Sequence, residues 1–150
     1  EELSEKLGEY GKAVTLPTDI PDNIKTLVEQ GWKNHEFNEY ISSLISPQRD
    51  LHDFRSDYCK DAQRNYAPKL PLVSVVIVFY NEAWSTLLRS IYSILNRTPS
   101  QFLKEIILVD DFSDFDHLRK PLDDFVKDFK MVNSHDLIKS CLKMSIFRFE

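Results

Sequence analysis

Two apolar runs dominate the pattern along the chain. Val73-Ser74-Val75-Val76-Ile77-Val78-Phe79 carries no charge, and Ile106-Ile107-Leu108-Val109 runs straight into Asp110-Asp111. Continuous Val, Ile and Leu without alternation predicts parallel strands covered on both faces. Between the runs, Leu87, Leu88, Ile91, Ile94 and Leu95 recur at helical spacing and predict a helix over Trp84 to Asn96 whose apolar stripe faces the sheet. Asn81 or Ser85 is the candidate cap for its start. Strand, helix and strand together predict one right-handed βαβ unit.

Beyond the second strand, Leu118, Leu122, Phe125, Val126 and Phe129 predict a further helix beginning at Ser113 or Asp114, with Pro121 in its first turn, where a missing N–H costs nothing. The pattern then weakens. Lys130 to Asp136 is a poor candidate for a third strand, and Leu137 to Glu150 fits neither period. Two strands leave edges unpaired and enclose less core than the roughly four to six strands of a typical sheet, so the region reads as the front part of a larger domain.

Residues 1–70 have a different texture. They hold all three glycines and are broken by Pro17, Pro21, Pro47 and Pro68. One short helix is predicted from Asp22 to Val28, with Ile24, Leu27 and Val28 on one side. A second is predicted from about Asn34 to Ile45, where Phe37, Tyr40, Ile41, Leu44 and Ile45 form one face. Helices this short gain stability from packing, so residues 1–70 read as a segment wrapping the later α/β unit. The organisation expected is a wrapping segment at 1–70 followed by a partial nucleotide-binding α/β domain at 71–150.

Composition narrows the function. The 150 residues are 42% hydrophobic, enough for a core, and 19 basic against 24 acidic residues give a net charge of −5. No run of Lys or Arg forms a phosphate-tracking stripe, which argues against nucleic acid as a partner. The longest apolar run, Leu70 to Tyr80, is about half of what a bilayer span needs. Any membrane attachment is therefore expected through an anchor outside this chain. Cys59 and Cys141 match neither a metal-ligand nor a Cys-x-x-Cys redox spacing. Asn96-Arg97-Thr98 is a glycosylation sequon, with Pro99 directly behind it.

Candidate chemistry collects at the strand ends. Ligands of open α/β sheets bind beyond the carboxyl ends of the strands, which points Asp110-Asp111 at a binding crevice. Adjacent residues on an extended chain face opposite ways, so one of the two is expected to meet a ligand, unless both only cap the next helix. Tyr80 and Trp84 could stack on a base or sugar, or pack in the core. Glu82 reads as a first-turn carboxylate favoured by the helix dipole. A receiver-domain reading of the acidic pair fails, because only 39 residues follow Asp111 and none fits a phosphoacceptor position. Asp50-Leu51-His52 has the form of a metal pair but lies before any strand, and His35, His117 and His135 lack partners at ligand spacing. No metal site, catalytic triad or glycine-rich phosphate loop is expected.

The segment Ser74 to Arg89, followed by Asn96-Arg97-Thr98-Pro99 and Glu105 to Asp111, closely resembles the polypeptide N-acetylgalactosaminyltransferases. The likeness extends back through Phe37-Asn38, Arg49-x-Leu51-x-Asp53-x-Arg55 and Cys59, and covers about Gly8 to Phe129. It implies the nucleotide-binding half of a GT-A, Rossmann-like fold. It also implies a type II membrane enzyme of the Golgi lumen that moves N-acetylgalactosamine from UDP-GalNAc to Ser or Thr of proteins, with manganese as cofactor and retention of configuration. On that likeness Asp111 contacts the uracil end of the donor, Val78 lines the nucleotide pocket, and Tyr80 stands where the family usually carries His. Cys59 matches a cysteine that pairs with one much later in the family, a partner this chain does not carry. Cys141 stands where a basic residue is usual.

Departures follow in the tail. Ser134-His135-Asp136-Leu137 occupies the place of an Arg-x-Gly-Leu segment whose arginine helps bind the donor, and the Asp-x-His manganese motif is absent. A cation that neutralises the departing diphosphate lowers the barrier by several kcal/mol, so the chain alone is expected to be inactive. Three functional readings result: part of an active transferase, a non-catalytic relative binding partners in the secretory pathway, and an unrelated nucleotide-binding α/β protein.

Overall fold

The computed structural model describes residues 6–62 and 69–129. The weak third-strand candidate, the Ser134 to Leu137 segment and Cys141 lie outside the described residues. The chain divides into two compact units. One comprises Glu1–Pro71 with Ala83–Arg97, the other Leu72–Glu82 with Thr98–Glu150.

In the first unit, α1 spans Asp22–His35. It runs well past the Val28 end that spacing predicts, and takes in the Asn34 and His35 assigned above to the second helix. Gly31 explains the difference. A Cβ there would lie 2.8 Å from the Glu39 amide nitrogen and 3.2 Å from the Phe37 carbonyl oxygen, so the chain doubles back directly over the helix at this glycine. The helix ends at Glu36, in the left-handed region at φ 60°, whose amide donates to the Trp32 carbonyl at 3.0 Å. Helix α2 therefore covers only Glu39–Leu44, and Asn38 caps it by accepting from the Ile41 amide at 3.0 Å. A short helix α3 follows at Asp57–Ala62.

Helix α4 spans Trp84–Arg97, close to the expected span. Leu87, Leu88 and Ile91 of its apolar stripe are buried. Neither expected cap is used, because both side chains have other partners. Asn81 Oδ1 accepts from the Asp114 amide, and the buried Ser85 hydroxyl lies 2.8 Å from that of Ser42. On the same face as Ser85, one turn on, Arg89 donates through Nη2 to the Ser42 carbonyl at 3.0 Å and through Nη1 to the Ser42 hydroxyl at 3.2 Å. Helix α2 is thus pinned to α4 by a buried polar knot.

The second unit holds strands β1, Val73–Phe79, and β2, Leu103–Asp110, paired in parallel from Ser74 opposite Glu105 to Phe79 opposite Asp110. Ser74 Oγ donates to Glu105 Oε1 at 2.8 Å where the register begins. The expectation of two covered faces is corrected here. Val76 and Val78 are 56% and 64% exposed, while Phe79, Ile106 and Leu108 on the other face are buried. The apolar run reports both faces' composition, but one of them is open.

After β2 the chain makes a 3-10 turn at Asp116–Leu118 and then helix α5, Lys120–Val126, with Pro121 in its first turn. Leu118, Leu122 and Val126 are buried, as their spacing requires. The helix starts later than Ser113 or Asp114 because both residues are held in the strand-end loops.

Candidate functional site at the strand ends

Both strands end in register and turn in the same way. The Asp111 amide extends the ladder by donating to the Phe79 carbonyl at 2.9 Å. Two residues past the end of each strand the backbone enters the left-handed region, at Asn81 with φ 46° and at Phe112 with φ 67°. Asparagine tolerates this conformation, whereas for phenylalanine it costs about 1–2 kcal/mol. Phe112 is 73% exposed, so side-chain burial offers little compensation.

Three hydrogen bonds lock the two loops together. The Asn81 amide donates to Ser113 Oγ at 2.9 Å, the Ser113 amide to Asp110 Oδ1 at 2.9 Å, and the Asp114 amide to Asn81 Oδ1 at 2.7 Å. Ser113 is buried. His117 Nε2 lies 2.9 Å from the Glu82 carbonyl oxygen, which can only accept, so that nitrogen carries the proton.

This network separates the acidic pair. Asp110 is half-buried and committed to the Ser113 amide. Asp111 is exposed, and among the described residues its carboxylate has no hydrogen-bond or ion-pair partner. Tyr80, just past β1, is 59% exposed. Alternation along the extended backbone carries Val78, Tyr80, Val109 and Asp111 to one side of the sheet, its open face. The three strand-end residues singled out from the sequence therefore share one accessible side, apolar along the strands and anionic at the rim.

The remaining sequence candidates lie elsewhere. Trp84 and Glu82 are half-buried. Cys59 has an exposed free thiol in α3, and Asn96 is exposed in the last turn of α4. His52 stacks on Tyr10 with ring centroids 4.7 Å apart, which gives that histidine a packing role. Sequence reasoning missed Ser113, Phe112 and His117 as parts of the strand-end loops. The only available signal was Ser113 three residues after Asp110, the spacing at which a capping carboxylate accepts from a backbone amide. Among the described residues, no three of His, Cys, Asp and Glu stand together so as to hold a metal ion, and the strand-end carboxylates do not fit manganese as a ligand set.

Known proteins similar to this chain are glycosyltransferases. The family model for glycosyl transferase family 2 matches residues 74–138. Human polypeptide N-acetylgalactosaminyltransferase 13 is 47% identical over 124 residues, covering 83% of this chain and 21% of that protein. Polypeptide N-acetylgalactosaminyltransferase 5 of Caenorhabditis elegans is 44% identical over 123 residues, covering 81% and 19%. A crystal structure of GalNAc-T7 with UDP, GalNAc and Mn2+ superposes with a TM-score of 0.74 at 36% identity, covering 87% of this chain and 23% of that one. The chain thus spans about a fifth of the length of the curated relatives it matches. With a parallel β1–β2 pair of GT-A type and this level of identity, the chain belongs to the polypeptide N-acetylgalactosaminyltransferase family and corresponds to part of its catalytic region.

Proposed function

We propose that this chain forms the nucleotide-binding part of a transferase that moves N-acetylgalactosamine from UDP-GalNAc to Ser or Thr hydroxyls of proteins. The observation that carries the reading is the free Asp111 carboxylate at the rim of the open sheet face, next to exposed Tyr80 and Val78. A carboxylate only accepts, so it suits the imide N–H of uracil or a ribose hydroxyl. Val78 supplies an apolar wall and Tyr80 a ring for contact with the base. Asp110 and Ser113 hold the loop that presents Asp111. GalNAc-T7 with bound UDP, GalNAc and Mn2+ supports the choice of donor.

The described residues form no ligand set for manganese, which where bound would offset the charge of the diphosphate. The described residues contribute donor binding and orientation to that chemistry. The purified chain is expected to give no GalNAc transfer to a mucin-type peptide.

The full protein is proposed to work in the Golgi lumen behind a type II membrane anchor. No helix among the described residues is long and apolar enough to cross a membrane. Protease protection of a tagged product of the whole gene in Golgi vesicles tests the placement.

Titration of the chain with UDP, ADP and GDP tests the nucleotide assignment. UDP is expected to bind preferentially, and Asp111→Asn to weaken it about tenfold, the value of one lost charge-assisted hydrogen bond. Equal binding of all three nucleotides, or unchanged UDP affinity in Asp111→Asn, overturns it.

A further inference from the structure

In the unit that contains α1, α2 and α4, a cavity of about 110 Å³ is lined by Pro47, Arg49, Asp50, Leu51 and, from α4, Arg89, Ser93, Asn96 and Arg97. Ser85, Arg89, Ser93 and Asn96 fall at helical spacing, so one polar stripe of α4 binds α2 at its start and lines this cavity further on. Arg49 and Arg89 each have a buried Nε without a hydrogen-bond partner. A guanidinium donor buried without an acceptor loses its hydration and gains nothing in return. Among the described residues, no carboxylate forms an ion pair with Arg49, Arg89 or Arg97.

We propose that this cavity is a binding site for a tetrahedral oxyanion, a phosphate or sulfate group held between Arg49, Arg89 and Arg97. Charge selects the class of ligand. Three guanidinium groups against Asp50 leave two positive charges uncompensated, which matches a dianion. Guanidinium groups also offer the forked donors that such oxygens accept. Size agrees, since the cavity holds roughly three or four waters at about 30 Å³ each. Burial, and then the charge of Arg49, hold the pKa of Arg89 below its ordinary value, as expected for like charges lacking a counter-ion. The clustering is unexpected from composition, because the chain is net acidic and the three arginines are dispersed in sequence. A wider hollow lined by His52, Asp53, Phe54 and Arg55 shares Asp50, Leu51 and Arg97 with the cavity, giving an ester-linked group room for its substituent.

The experiment titrates the isotopically labelled 150-residue chain with sulfate, inorganic phosphate and chloride at equal ionic strength, following the arginine Nε–H resonances. Saturable shifts of Arg49 and Arg89 are expected with sulfate and phosphate and not with chloride. Arg97→Gln, at an exposed position, should weaken both affinities about tenfold. Arg89→Lys keeps the charge but loses the fork and should weaken them as well, whereas Lys120→Gln should leave them unchanged. Tighter binding of O-phosphoserine than of inorganic phosphate assigns an ester as the natural occupant, and the reverse assigns the free anion. Equal shifts with chloride, or full affinity in Arg97→Gln, overturns the proposal. The strand-end reading makes no demand on this cavity, so either can fail without the other.

Discussion

The Ser113 amide donates to Asp110 Oδ1 at 2.9 Å, and that bond divides two neighbouring carboxylates by role. Asp110 completes the turn that ends β2, while Asp111 stays exposed. Asp110→Ala leaves the amide of a buried residue without its acceptor and is expected to cost about 1–3 kcal/mol of stability. Asp111→Asn should change stability by less than about 0.5 kcal/mol. Urea unfolding of both variants checks this, and an equal loss in the two would show that the division of roles is wrong.

Ser113→Ala removes the acceptor of the Asn81 amide from the other loop. The expected cost is again about 1–3 kcal/mol. Because Asp110 and Ser113 belong to one chain of hydrogen bonds, the double variant should lose less than the two single losses combined. Additive losses in a denaturation cycle would mean that the loops are held independently.

Phe112 is held at φ 67° with most of its side chain in solvent. Phe112→Gly relieves about 1–2 kcal/mol of backbone strain against an added chain-entropy cost of about 0.5–1 kcal/mol. A modest rise in melting temperature is expected, and a fall on Phe112→Val, whose β-branched side chain is worse still in that region. A lower melting temperature for Phe112→Gly would show that the ring is itself stabilising.

Gly31→Ala sets two effects against each other. Alanine gains about 1 kcal/mol in helix propensity, but its Cβ would stand 2.8 Å from the Glu39 backbone nitrogen, which cannot swing aside as a side chain could. Overpacking of this kind costs typically 1–3 kcal/mol, so a net loss of about 1 kcal/mol is expected in thermal unfolding. A stabilised variant would show that the crossing of the chain over α1 is looser than this distance implies.

Asp53 is ringed by donors from Arg55. Nε and Nη2 reach its two oxygens at 2.9 Å and the Arg55 amide follows at 3.1 Å, lowering the carboxyl pKa from 3.8 to about 2. A depressed pKa stabilises the fold above the ordinary value, and the gain is lost as pH falls from about 4 towards 2. Arg55→Gln should return the Asp53 titration towards 3.8 in carboxyl NMR and remove that part of the acid sensitivity. An unchanged titration would assign the shift to another group.

Much of the scaffold was legible in the chain because its signals are local. The apolar runs marked β1 and β2, and the leucine and isoleucine spacing marked α4 nearly to its ends. Boundaries failed where a distant segment intervened. Helix α1 outran its apolar pattern because Glu39 packs over Gly31, and α5 began late because Ser113 and Asp114 were engaged by Asn81 and Asp110. At the site, Val78, Tyr80 and Asp111 were readable as strand-end positions. The left-handed turn at Phe112 was not, since nothing in a phenylalanine announces positive φ.

The sequence by itself determined that an apolar strand, a helix and a second strand ending in carboxylates follow one another, and through its likeness it indicated the family. Those properties depend on side-chain types a few residues apart. Only the tertiary structure decided which carboxylate is free, that one face of the sheet is open, and that Arg49, Arg89 and Arg97 line a single cavity. Hydrogen-bond partners and solvent exposure depend on which distant segments the folded chain brings together, and residue order alone does not state that pairing.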